Sequence, residues 1–191
     1  QLLEATLTAD SVTIPLAEVL DWPDLEERGE WGGSAVRDIE WMAAHKLNLV
    51  ETHVTLGVDD QGRGTAQISP ELVDRGRRHA LSVVPIVTHL EQIEGTGIFE
   101  RLPITAGQGD PEHWARIGHV RPACWSQPET VRVLGDWMVA LAAQKGITDL
   151  CPWLSENAVK CECERCAEQN QFALETAAIL RGYERAREVN P

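Results

Sequence analysis

Three short apolar runs, each entered almost directly from a helix stop, constrain the fold of this chain more than any other feature. Residues 49–55 are rich in β-branched side chains, and residues 82–87 (SVVPIV) are nearly continuously apolar. Residues 147–154 follow the stop Lys145-Gly146. Short runs with so little alternation describe strands covered on both faces, as in a parallel sheet. A fainter strand is expected over residues 30–33, after Arg28-Gly29.

Helical patterns fill the intervals. Ser34 is placed to cap a helix reaching about Lys46, with Val36, Ile39, Met42, Ala43 and Leu47 as its stripe. Ser69-Pro70 opens a second helix, cap residue then proline, which runs to about Ala80. Ser126-x-x-Glu129 reads as a capping box opening a third, striped by Val131, Leu134, Met138 and Leu141. A last helix over 168–188 carries Phe172, Thr176, Ile179, Leu180 and Tyr183 as its stripe. Residues 57–64, with Asp59-Asp60, read as a loop in which both aspartates form turns. Asp21-Trp22-Pro23-Asp24 is a further turn, and 89–125 a long irregular excursion.

The order β-α-β-α-β-α-β-α predicts an α/β fold with right-handed crossovers. Four βα units make half of a (β/α)8 TIM-type barrel, so residues 28–191 are expected to be its N-terminal half and 1–27 a linker from a preceding domain. Four strands cannot close a barrel. The chain also begins Gln1-Leu2-Leu3 without an initiator Met. A piece of a longer polypeptide, not competent alone, is the expectation. An open doubly wound sheet is the alternative, but Gly29 and Gly32-Gly33 do not make the G-x-G-x-x-G of its phosphate loop.

Charge narrows the partners. Seventeen basic against 30 acidic residues give a net charge of −13, which repels phosphate backbones and argues against nucleic acid. No apolar run is long enough to span a bilayer, so no membrane partner is expected. Seven Trp stand against one Tyr and two Phe. Indole faces stack on sugar rings, though they serve equally as core.

The chemistry concentrates in residues 147–166, ITDLCPWLSENAVKCECERC. A strand here delivers Glu156 just past its end, where the reactive groups of parallel sheets collect. Cys161, Cys163 and Cys166 follow. Thiolates at this spacing suit zinc, with Cys151 or Cys124 as a fourth ligand; a reduced cluster or one disulfide to Cys166 are the alternatives. His53 and His89 fall at the ends of the second and third strands. Arg28 is either a fork for sugar hydroxyls or an ion pair with Glu26, Glu27 or Glu30. No G-x-S-x-G supports serine hydrolase chemistry.

Several motifs in this order resemble the catalytic barrel of glycoside hydrolase family 20, the β-N-acetylhexosaminidases. They are Gln1-Leu2-Leu3, Asp21-Trp22-Pro23-Asp24 with Arg28-Gly29, His45-Lys46-Leu47-Asn48, His53, Asp59-Asp60-Gln61-Gly62, His89-Leu90-Glu91, Gln127-Pro128-Glu129-Thr130 and the cysteine cluster. The resemblance covers most of the chain. It implies hydrolysis of O-glycosidic bonds with Glu156 as general acid, and a carbohydrate held by Arg28, His53, His89, Glu91 and Trp153. It implies no cofactor for catalysis; a structural zinc is the expectation of the cysteine spacing, beside the metal-free alternatives. The implied partner is the remainder of the barrel or a second copy of the chain. Compartment is not read from the residues, with a secreted or periplasmic location favoured over a cytoplasmic one.

One departure stands out: the family's strand-four Asp-Glu pair is Ser155-Glu156 here, and Ile86-Val87-Thr88 carries no aspartate. The acid is kept and the carboxylate that orients an acetamido group is not. The second expectation is therefore a non-catalytic sugar-binding or scaffold barrel.

Overall fold

The computed structural model describes residues 6–8, 10–13, 25–116, 121–156 and 159–191. The expected turn at 21–24 and the start at 1–3 lie outside the described residues. In chain order the strands are β1 (Thr6–Leu7), β2 (Val12–Thr13), β3 (Gly29–Trp31), β4 (Leu49–His53), β5 (Thr55–Val58), β6 (Gly64–Gln67), β7 (Ser82–His89) and β8 (Cys151–Trp153). β1 and β2 pair antiparallel, as do β5 and β6. β3, β4, β7 and β8 form one wholly parallel sheet, and they stand in it in the order the chain makes them. The α/β expectation is met.

The helices are α1 (Gly33–Arg37), α2 (Ile39–Ala44), α3 (Pro70–Arg78), α4 (Ile98–Arg101), α5 (Pro111–Arg116), α6 (Pro128–Ala142), α7 (Glu164–Ala167) and α8 (Gln171–Val189). Alternation along β4 buries Val50 and Thr52, while Glu51 is half-buried and His53 exposed. Val50 joins Ala35, Ile39, Met42, Val73 and Val83 in one apolar cluster, which seats α1, α2 and α3 on the sheet. Further along β7, Val87 belongs to a second cluster with Leu134, Trp137, Met138 and Leu141 of α6. Register sets Trp31, Glu51 and Val84 in one row and His53, Ile86 and Cys151 in the row two residues further along.

Local signals shifted where backbone geometry competed with them. The first strand starts one residue earlier than expected. The helix after it breaks at Asp38, which ends α1 and starts α2. Its cap is Gly32 at φ 92, a conformation that glycine adopts freely, so Ser34 lies inside the first turn. The fourth strand is only Cys151–Trp153, shorter than its apolar run. Residues 57–64 belong to the β5–β6 hairpin, whose turn is tied by the Asp59 carboxylate accepting the Gln61 and Arg63 N–H groups at 2.9 and 2.8 Å. The capping box at Ser126 and Glu129 is not made: Gln127 is the cap residue and supplies no side-chain bond. Ser69 does cap α3, accepting the Leu72 N–H at 3.2 Å, with Pro70 first in the helix.

The largest reversal is in α8. The helix buries Gln171, Glu175, Ala178, Gly182 and Ala186, and leaves Phe172, Leu180 and Tyr183 exposed. The small residues win because α6 and α8 approach closely. A Cβ on Gly182 would sit 2.4 Å from Met138 Sδ, and one on Gly135 would meet Arg185 at 2.3 Å. Periodicity located the helix and chose the wrong face.

α2 and α3 are clamped by an ion pair between Glu40 and Arg75, whose guanidinium also donates to Val36 O at 3.0 Å and Arg37 O at 2.8 Å. Hydrogen bonding from Arg75 pulls the Glu40 carboxyl from its ordinary 4.5 down to about 2. A carboxyl depressed on folding stabilises the fold above its unfolded pKa and loses that contribution as pH falls through the folded one. The melting temperature should therefore drop between pH 4.5 and about 2. Glu40→Gln should melt lower than the parent above this window and converge with it below. Parallel melting curves across the window would remove Glu40 from the account.

Candidate functional site

All four parallel strands end on a ring: Trp31, His53, His89 and Trp153. Trp153 is the hub. Its indole stands edge-on to Trp31 at 5.3 Å between centroids, to His53 at 6.1 Å and to His89 at 4.4 Å. Strands spaced about 4.8 Å apart put the first and fourth roughly 14 Å from each other. Their two indoles nevertheless meet, so both side chains reach inward over the same face. His53, His89 and Trp153 were expected at this edge. Trp31 was missed, because a strand placed over 30–33 leaves it mid-strand.

His89 reaches the edge through an irregularity. The β7–β8 ladder loses register between Ile86 and His89, and Thr88 sits at φ 42. A positive φ on a β-branched residue is sterically strained, and such outliers collect at functional sites. The His89 side chain is 14% exposed, with Nε2 at 3.9 Å from Glu156 Oε1. Among the described residues, its buried Nδ1 has no hydrogen-bond partner.

Glu156 and Glu91 stand beside His89. The Glu156 N–H donates to the Glu91 carboxylate at 2.6 Å, fixing the loop after β8 against the turn after β7. One ligand atom each from His89, Glu91 and Glu156 lies within 4.8 Å of the others. No apolar wall encloses Glu156 among the described residues. Its side chain is 70% exposed, and Trp153 turns to His89 instead.

Ser155, directly before Glu156, faces inward. Its N–H and Oγ both donate to the buried Glu175 carboxylate, at 3.0 and 2.6 Å, and Gln171 Nε2 donates to it at 2.7 Å. Glu175 of α8 thus anchors the start of the acid loop. No pattern in the sequence marked it, since an acid one helical turn beyond a glutamine looks like a solvated face.

Arg28 is not at this site. It precedes β3, at the opposite edge of the sheet from the four rings. Its guanidinium donates to Lys46 O from Nε at 3.0 Å and Nη2 at 2.6 Å, and also to Leu25 O and Glu26 O. Asn48 Oδ1 accepts the Arg28 N–H at 2.8 Å, and Asn48 Nδ2 donates to Glu26 O at 2.8 Å. Lys46, two residues beyond α2, stands at φ 63. The Arg-Gly and His-Lys-Leu-Asn motifs are thus one backbone clamp, which explains their spacing without a ligand.

The cysteines form a separate cluster. Sγ atoms of Cys124, Cys161, Cys163 and Cys166 lie within 4.8 Å of one another, and all five cysteines are free thiols. The four could hold a metal ion. Cys151 is not among them: it lies on β8, where its sulfur accepts the Trp153 indole N–H at 3.0 Å. Cys124 takes its place. Burial pushes the Cys124 and Cys161 thiols up. Desolvation works the same way on Cys163, but the Cys166 N–H and the neighbouring thiols outweigh it and bring it down to about 7.

Fold and site together define an α/β protein with a parallel sheet and a cluster of rings and carboxylates at that sheet's carboxyl edge. No family model, curated protein or solved structure compared with the chain matches it. Among the described residues, no helix is long and apolar enough to cross a membrane.

Proposed function

We propose that the chain forms the first half of a (β/α)8 glycosidase-like barrel, with a sugar seated on the rings of Trp31 and Trp153 and Glu156 as general acid. The observation that carries this reading is the convergence of His89, Glu91 and Glu156 beside four strand-end rings. Indole faces match the apolar faces of pyranose rings. The unpaired His89 Nδ1 offers a hydrogen bond to a hydroxyl, and Glu91 holds the Glu156 backbone in place.

Strand order supports the barrel. A doubly wound sheet reverses its order at a switch point, and here four strands run in chain order without one. A groove of about 630 Å³ lies along the free side of β8, lined by Ile147, Leu150, Pro152, Ile179, Leu180 and Tyr183. In this reading the next βα unit fills that groove, which accounts for the apolar residues on the outer face of α8. The facing half also supplies the desolvation that Glu156 lacks here and that a general acid needs to hold its proton near neutral pH. The four thiols serve this architecture as a structural zinc centre, and the crevice carries the chemistry.

The test is a panel of aryl glycosides assayed with the full-length protein. Turnover of at least one member is expected, and Glu156→Gln should lower it about 100-fold, the usual contribution of a general acid. An unchanged rate in the variant removes Glu156 from the role. A second reading is non-catalytic sugar binding, and Ser155 favours it, since the side chain at the aspartate position is committed to Glu175. Oligosaccharide binding that Trp153→Ala abolishes, without turnover of any glycoside, would select that reading.

A further inference from the structure

We infer that Cys124, Cys161, Cys163 and Cys166 hold one zinc ion in a closed tetrahedral site, and that Cys151 takes no part. The inference rests on the structural role just proposed for the thiols and is independent of the glycosidase chemistry.

Geometry selects the metal. Zinc–sulfur bonds of about 2.3 Å directed to tetrahedral corners place the sulfurs about 3.8 Å apart. Cys124 Sγ lies 3.7 Å from Cys163 Sγ and 3.8 Å from Cys166 Sγ. Those separations are far beyond the 2.05 Å or so of a disulfide, and all four sulfurs lie within 4.8 Å of one another. An all-sulfur donor set of four suits zinc or an iron–sulfur centre, and a closed structural zinc site of this kind leaves no position open for substrate.

The surroundings are those of metal-bound thiolates. The Gln108 N–H donates to Cys161 Sγ at 3.3 Å, and the Ser126 hydroxyl lies 3.0 Å from Cys166 Sγ, the outer contacts that orient ligands. Three of the four cysteines are buried, in a cluster with little else apolar around it.

The site also joins segments far apart in sequence. Cys124 stands before α6, and its N–H donates to Thr105 O at 2.8 Å. Cys161, Cys163 and Cys166 lie between the acid loop and α8, where the Glu162 N–H donates to Gln108 O at 2.7 Å. The 105–108 stretch, the start of α6 and the exit from Glu156 thus meet at one ion. Sequence spacing revealed three ligands; only the fold brings the fourth from 37 residues upstream of Cys161, the difference between positions 124 and 161.

The experiment is metal analysis of the full-length protein, with cobalt substitution. One zinc per chain is expected, and the cobalt form should show the intense visible bands of a tetrahedral tetrathiolate site. Cys151→Ser should keep both, whereas Cys124→Ser should lose stoichiometric zinc. Where Cys124→Ser does not fold, the parent cobalt spectrum and the Cys151→Ser metal content decide alone. Substoichiometric zinc with four freely titrating thiols, a cobalt spectrum of fewer sulfurs, or loss of metal in Cys151→Ser overturns the assignment. Glu156→Gln should retain the zinc, so failure of the catalytic reading remains distinguishable from failure of this one.

Discussion

Replacing Trp137 by alanine is expected to lower the unfolding free energy by about 3–5 kcal/mol, the range for deleting a large aromatic from a closed core. Trp137 is fully buried on α6, in the cluster that contains Val87, Leu134, Met138 and Leu141. Its indole N–H donates to Gly57 O at 2.7 Å, so one side chain ties α6 to the β5–β6 hairpin. The fit is tight on the hairpin side as well. A Cβ on Gly64 would stand 2.9 Å from Trp137 Cδ1 and 2.6 Å from Val133 O. Neighbours held that closely by backbone cannot collapse into the space left behind. Trp137→Phe separates the terms: it keeps most of the volume and leaves Gly57 O unpaired, for about 1–2 kcal/mol. Urea unfolding of the two variants checks both. A loss below about 1 kcal/mol for Trp137→Ala would mean that the hairpin is not docked on α6 as described.

Glu175→Ala is expected to cost about 3 kcal/mol or more, through a different mechanism. The carboxylate is fully buried and receives three hydrogen bonds, two from Ser155 and one from Gln171. Alanine leaves those donors buried and unpaired, and each unsatisfied group carries its own desolvation penalty. The effect should reach the crevice, because Ser155 directly precedes Glu156. Hydrogen exchange at the Ser155 amide should accelerate in the variant, and the acid loop should loosen from Glu91. Glu175→Gln keeps the shape but turns an amide N–H₂ toward donors, so its cost should fall between parent and alanine. Unchanged exchange at Ser155, with full stability, would show that α8 does not anchor the loop.

These two residues also mark where sequence patterns stop being informative. Val131, Leu134, Met138 and Leu141 identify α6 by their period, and Trp137, three positions after Leu134, is buried beside that stripe without having been picked out by it. Glu175 does not follow from any stripe. It is polar, on a helix whose apolar residues Phe172, Leu180 and Tyr183 are exposed; α6 and α8 cross closely at Gly135 and Gly182, and Glu175 is buried on Ser155 and Gln171. Crossing distance is a property of two surfaces together, and no single helix encodes it.

The site divides along the same line. Alternating β and α signals were sufficient for a parallel α/β sheet and for His53, His89, Trp153 and Glu156 at its carboxyl edge, because a strand's direction decides which end its loop leaves. The cysteine spacing marked three ligands for the same reason of locality. Tertiary structure alone decided that Arg28 clamps backbone at the opposite edge, since a guanidinium reaches several directions and only the packed chain shows which acceptors stand there. It alone aimed His89 into the crevice through the strained turn at Thr88, joined Trp31 to Trp153 across the sheet, and chose Cys124 over Cys151. Two positions on one chain are brought together or kept apart by the path between them, and that path is set by the packing of every element it crosses.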